Sequence, residues 1–193
     1  MKRHNPQQID LAAQDVLRKA NVLSLPVDLD RVLNSLNVRV HEEAMEEDVS
    51  AVLIVKGEQR HILVNKGHSA NRKRFSIAHE LGHLILHDDV DAGDLDGERM
   101  FIDRQIRVYH RVGEASSPIY KQDGSLTDEA QEREANAFAA SLLMPAHHVS
   151  RAAHERDLFD ELSVASLART FGVSEQAMSI RLQQLNLVTL NFD

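Results

Sequence analysis

Residues 75–87, Phe-Ser-Ile-Ala-His-Glu-Leu-Gly-His-Leu-Ile-Leu-His, constrain this chain more than any other stretch. They place H-E-x-x-H inside an unbroken run of helix-compatible residues. On a helix, side chains four apart lie on one face, so His79 and His83 can offer two imidazoles to one metal ion. Glu80 stands one step further round, where it can take a proton from a metal-bound water. Ile77, Ala78, Leu81, Leu84, Ile85 and Leu86 would bury the helix and leave the three polar groups on a cleft wall. With 11 His and 14 Glu in 193 residues, chance expects the pattern about 0.05 times.

Two histidines leave a catalytic zinc needing one more protein ligand and one open position. The chain has no cysteine, so the third ligand is His, Asp or Glu. A third histidine at the spacing H-E-x-x-H-x-x-G-x-x-H is absent, because Leu86 and Asp89 occupy the glycine and histidine positions. His87, one turn past His83, reads as a surface histidine or one that supports a ligand from behind. The remaining source is a second helix, residues 128–143, which Ser125 or Thr127 would cap and Pro145 would end. There Glu132 is the leading candidate ligand and Glu134 the alternative. Asn136, four residues after Glu132, would accept a hydrogen bond from the distal nitrogen of His79 and orient its ring. A tetrahedral oxyanion would need a further donor. His110, Tyr109, His68 and Tyr120 are available, and the sequence does not choose among them.

The rest of the chain reads as scaffold. Residues 7–20 and 28–36 have helical periodicity, 37–41 alternates as a strand, and 49–55 with 61–64 flank a turn as a β-hairpin. Residues 69–74 open the metal helix, with Ser69 or Asn71 as cap and exposed Arg72, Lys73 and Arg74 that call for acidic partners. The acidic run 88–98 fits no EF-hand loop and reads as a mobile loop. Residues 100–111 alternate as a strand at the edge of the sheet or of the cleft, and 113–124 form a loop. The fold class expected is α+β: a zincin-like metallopeptidase with a small twisted sheet and the H-E-x-x-H helix, followed by a small all-α tail. Residues 1–145 would form the peptidase domain and 146–193 the tail.

Within the tail, residues 162–182 have the shape of a helix-turn-helix. Ala168 would sit at the close crossing, Gly172 in the turn and Ser174 at the second cap, with Ala177, Ile180 and Leu185 buried. Yet residues 174–185 offer Arg181 as their one cation, and residues 151–193 carry four Lys/Arg against six Asp/Glu. The whole chain has a formal net charge of −8. Such surfaces suit a polyanion poorly, so direct DNA binding is not expected and the tail reads as structural or substrate-docking. No apolar run long enough to cross a membrane and no leader are evident, which makes cytoplasmic the default location.

Residues 74–87 and 132–145, with 25–28 and 63–65, resemble the ImmA/IrrE-type metallopeptidases. The second block, Glu-Arg-Glu-Ala-Asn-Ala-Phe-Ala-Ala-Ser-Leu-Leu-Met-Pro, is far more specific than H-E-x-x-H alone. The resemblance implies a gluzincin-type zinc peptidase with His79, His83 and Glu132 as ligands and Glu80 as base. It also implies a protein substrate, typically an XRE-type transcriptional repressor cut to switch on a prophage, mobile-element, stress or toxin–antitoxin response. IrrE-like members carry a further GAF-like sensor, which residues 146–193 are too few to form. A different class, a peptidase-like module that captures a repressor or toxin without cutting it, is disfavoured by Glu80, since capture needs no base.

Overall fold

The computed structural model describes residues 3–87, 98–104, 129–154, 156–158 and 160–188. Their elements are α1 (Pro6–Lys19), α2 (Leu29–Ser35), β1 (Val38–Glu43), β2 (Val49–Lys56), β3 (Gln59–Asn65), α3 (Ala70–Leu86), β4 (Glu98–Arg104), α4 (Glu129–Leu143), α5 (Ala146–His154), α6 (Glu161–Phe171) and α7 (Glu175–Gln184). The architecture is mixed α+β, the class the sequence implies.

Local chemistry sets the first boundaries. Asn5 accepts the Gln8 backbone N–H while Gln8 accepts that of Asn5, both at 2.9 Å, and Pro6 occupies the first helical position. This reciprocal cap removes two orphan donors and fixes where α1 begins. Asp28 caps α2 by accepting from the Arg31 N–H at 3.1 Å.

The four-stranded sheet has the order β1-β3-β2-β4. β1 runs parallel to β3, and β2 runs antiparallel to both β3 and β4. β2 and β3 are the expected hairpin, paired down to Lys56 and Gln59. Gly57 at the turn has φ +56°, a left-handed value that a two-residue hairpin loop favours and only glycine adopts freely. Because β2 lies inside the sheet, its residues Val49 to Leu53 are all buried rather than alternating. β4 takes the sheet edge, as expected, and residues 105–111 of that expected strand lie outside the described residues, as do the loop 113–124 and the proposed caps Ser125 and Thr127.

Asn65 ties the end of β3 to the chain before β2. Its amide donates to the Glu46 and Val49 carbonyls at 2.9 and 2.8 Å, and its oxygen accepts the Gly67 N–H at 3.0 Å. Three residues on, Ser69 caps α3 by accepting from the Arg72 N–H. α3 packs on β2 and β3 and against α4, and α4 packs in turn on α1. α3 is therefore held between the sheet and a second helix layer.

The basic first turns of α3 differ from expectation: Arg72, Lys73 and Arg74 are half-buried. Lys73 has its acidic partner, Glu42, at 2.7 Å, but Arg72 donates to the Ser50 hydroxyl. Arg74 donates to two carbonyls, Gly172 at 3.2 Å and Val27 at 2.8 Å. Burial lowers the Arg74 pKa, partly offset by Asp28 and Asp30. Asn71 adds a bond to the Val173 carbonyl at 2.9 Å. The start of α3, which the dipole argument marked as unfavourable for cations, thus donates to main-chain carbonyls, among them that of Gly172 at the end of α6.

The Gly172 and Val173 carbonyls belong to the turn between α6 and α7. Gly172 caps α6 with φ +64°, and Ser174 caps α7 by accepting the Ala177 N–H at 3.1 Å, both at their expected places. Ile180 and Leu185, expected to be buried, are only half-buried. Met178, Arg181 and Leu182 join Ala177 on the inner face instead, because Arg181 turns inward to donate to the Met144 carbonyl at 3.0 Å and to Asp10 at 3.3 Å. One continuous apolar cluster runs from Ile9 through Leu53, Leu81 and Phe138 to Phe171 and Leu182.

Candidate metal centre

The centre is built by two helices that approach closely at one point. A Cβ on Gly82 would lie 2.9 Å from the Ala135 Cα and 3.0 Å from its carbonyl oxygen, so only glycine permits this contact between α3 and α4. Around it, His79 and His83 stand on α3 either side of Gly82, and Glu132 and Asn136 stand on α4 either side of Ala135. The i, i+4 spacing on each helix turns one close contact into four convergent side chains.

The Nε2 atoms of His79 and His83 are 3.0 Å apart. Each lies 3.2 Å from one oxygen of Glu132, Oε2 for His79 and Oε1 for His83. Two donors held at about 2.1 Å from one ion at the tetrahedral angle stand about 3.4 Å apart, so these separations fit a zinc site with three protein ligands. The donor set agrees: two imidazoles and a carboxylate, with no thiolate in the chain. His79, His83 and Glu132 have exposures of 1, 4 and 8%, and the adjacent Glu80 has none. Burial pushes the Glu132 carboxyl pKa up, but hydrogen bonds from His79 and His83 outweigh it and hold the group ionised well below the usual carboxylate range. A preformed carboxylate facing two ring nitrogens is the charge pattern that a divalent cation completes.

If Nε2 of each ring is to hold an ion, Nδ1 of each must carry the proton. The His79 Nδ1–H donates to the Asn136 oxygen at 3.0 Å, the orienting bond expected from the sequence. The His83 Nδ1 lies 3.3 Å from the His87 Nδ1. His87 is buried, and burial with the neighbouring His83 ring pushes its pKa down to about 4, so it is neutral at ordinary pH.

Glu134, the alternative third ligand, points elsewhere. Its Oε2 is 3.2 Å from the His87 Nε2 and 2.8 Å from the His4 Nδ1, and its Oε1 accepts the His4 backbone N–H at 3.1 Å. Among the described residues, two groups of three could therefore hold a metal ion: His79, His83 and Glu132, and His4, His87 and Glu134. The second group was hidden from sequence reasoning because His4 lies 130 residues from its partner. The one available signal was the i, i+4 step from His83 to His87. Of the candidate oxyanion donors, His110, Tyr109 and Tyr120 lie outside the described residues. His68 is half-buried with its Nε2 3.2 Å from the Glu47 carbonyl.

The acidic stretch 88–97 also lies outside the described residues, and no described helix is long and apolar enough to cross a membrane. No curated protein matches the chain. A family model does: Peptidase M78, the IrrE N-terminal-like domain, matches residues 33–106 and 108–183. The first segment contains His79, Glu80 and His83, and the second contains Glu132 and Asn136. Matching most of the sequence and spanning both helices of the metal centre, it shows that the chain belongs to the IrrE N-terminal-like family of metallopeptidases.

Proposed function

We propose that this protein is a zinc-dependent endopeptidase whose substrate is another protein. The observation that carries the reading is the convergence of His79, His83 and Glu132, at 3.0 to 3.2 Å from one another, with Glu80 buried beside them. His79, His83 and Glu132 would hold the ion, leaving a position for water. What zinc supplies when bound is Lewis acidity towards an attacking water and the scissile carbonyl. Glu80 takes the proton of the attacking water and returns it to the departing amine, so one carboxylate serves as base and then acid. Asn136 keeps the His79 ring in the tautomer that presents Nε2.

The substrate class we propose is an XRE-type repressor, as the resemblance to ImmA/IrrE-type peptidases implies, with cleavage switching on the genes it silences. A role in the cytoplasm follows from such a substrate. Direct DNA binding by the tail is not part of the reading. The one cation of α7, Arg181, is buried against Met144 and Asp10, and the chain's net charge is −8.

The test compares wild type with Glu80→Gln, measuring zinc content and cleavage of a helix-turn-helix repressor encoded beside this chain's gene. Both proteins are expected to carry about one zinc, and the variant should lose at least about a hundredfold in cleavage rate, the scale of a lost general base. Cleavage retained in the variant would remove Glu80 from the mechanism. A stable complex of wild type with intact repressor would favour capture without cutting.

A further inference from the structure

The second His/Glu group shares a histidine contact with the metal centre, and that contact decides what the group can do. Reading outward, the His83 Nδ1 faces the His87 Nδ1 at 3.3 Å, the His87 Nε2 faces the Glu134 Oε2 at 3.2 Å, and Glu134 is held by the His4 backbone and ring. If the His83 Nε2 is a metal ligand, its Nδ1 bears a hydrogen and must donate. The His87 Nδ1 must then be the acceptor, so its hydrogen lies on Nε2 and points at Glu134. A metal on the His87 Nε2 would reverse this, setting two N–H groups against each other at 3.3 Å. The two groups cannot both bind metal through these nitrogens while this contact stands.

We infer that His87 and Glu134 are positioning residues that hold the His83 ring as a zinc ligand, and that His4, His87 and Glu134 are not a second metal site. The chain is directional: His83 donates to His87, His87 donates to Glu134, and the Glu134 carboxylate is pinned by His4. It mirrors on the His83 side what Asn136 does on the His79 side. A carboxylate at the far end polarises both rings and makes His83 a better electron donor to the ion, and orienting partners of this kind commonly govern about ten- to a hundredfold in metal affinity. The fixed start of α1, with its reciprocal Asn5–Gln8 cap, is what holds His4 against Glu134.

The inference rests on the zinc reading above, and the experiment keeps the two apart. The full chain is titrated with zinc against a chelator of known affinity, for wild type, His87→Leu, His87→Asn and Glu134→Gln. Wild type should bind one zinc per chain. His87→Leu, close in volume but without an acceptor, should bind about ten- to a hundredfold more weakly. His87→Asn, whose oxygen can replace the Nδ1 acceptor, should recover part of that loss, which restored packing alone would not explain. Glu134→Gln should fall between wild type and His87→Leu. Wild-type protein needs no substitution for the second readout: long-range proton–nitrogen spectra of its zinc-loaded histidines should show His83 protonated at Nδ1 and His87 at Nε2. Two zinc ions per chain, His87 protonated at Nδ1, or an unchanged affinity in His87→Leu would overturn the inference while leaving the metal centre standing. No zinc uptake would overturn both.

Discussion

Two helix pairs carry the motifs that stand out in this sequence, and they use buried polar side chains in opposite ways. Between α3 and α4, three polar groups meet one another: the rings of His79 and His83 and the carboxylate of Glu132 converge within 3.2 Å. In α6 and α7 the buried polar group, Arg181, meets the main chain. Its Nε donates to the carbonyl of Met144, just past the end of α4, where a helix leaves carbonyls without partners. Burial lowers its pKa and Asp10 offsets part of that. The first pair gathers lone pairs around a point that an ion can fill, whereas the second spends its cation on the end of the first. The α6–α7 pair therefore reads here as a buttress for α3 and α4, and Asn71 and Arg74 on α3 return the contact at the Val173 and Gly172 carbonyls.

If that contrast is right, metal should stabilise the protein through the first pair. Zinc held at a thousand times its dissociation constant adds about 4 kcal/mol to a protein that binds it only when folded. Calorimetry with zinc and with excess chelator should show a large drop in Tm for wild type and none for a His79→Ala/His83→Ala double variant. Equal responses in the two would place the ion elsewhere. Gly82→Ala comes next. Its Cβ would meet the Ala135 backbone at 2.9 Å, and since backbone cannot step aside, overpacking of about 1–3 kcal/mol should exceed the gain of up to about 1 kcal/mol from helix propensity. Because the four convergent side chains straddle that contact, zinc affinity should fall as well. Unchanged affinity would show that the helices can part without disturbing the ligands. Arg181→Met fills the volume but leaves the Met144 carbonyl without its donor, costing about 1–3 kcal/mol. Retention on DNA at low salt should not change, and a loss of retention would contradict the buttress role.

The candidate metal centre was legible because its chemistry repeats at helical spacing. His79, Glu80 and His83 announce a face, and Glu132 with Asn136 four residues on announces another. The hairpin and the caps at Ser69 and Ser174 were equally readable, since turn and cap preferences are local. What the sequence hid was long-range. Nothing near His4 points to Glu134, 130 residues away, and nothing in the α7 pattern says that a cation turns inward while Ile180 stays half-exposed. That inversion follows from a need outside the helix, a donor for the Met144 carbonyl just past the end of α4. The basic start of α3 was legible only in part: Lys73 has the acidic partner expected, Glu42, but Arg74 has two carbonyls instead. Cations beside the positive end of a helix dipole look unfavourable until the Gly172 and Val27 carbonyls that Arg74 binds are known.

The smallest effect gives the finest reading of the comparison. Ser174 is exposed and accepts the Ala177 N–H at 3.1 Å, so Ser174→Ala should cost about 1 kcal/mol. Ser174→Asp, an equally good cap, should restore it. The cap lies on the pair that carries none of the candidate ligands, so zinc affinity should stay at its wild-type value. Cleavage then separates the two roles left to the tail. As a buttress only, it should leave kcat and KM of the folded enzyme unchanged in Ser174→Ala. If KM rises in both Ser174→Ala and Ser174→Asp, although the second keeps the cap and the stability, the start of α7 touches substrate. The pair that does no chemistry would then help to choose what the other pair cuts.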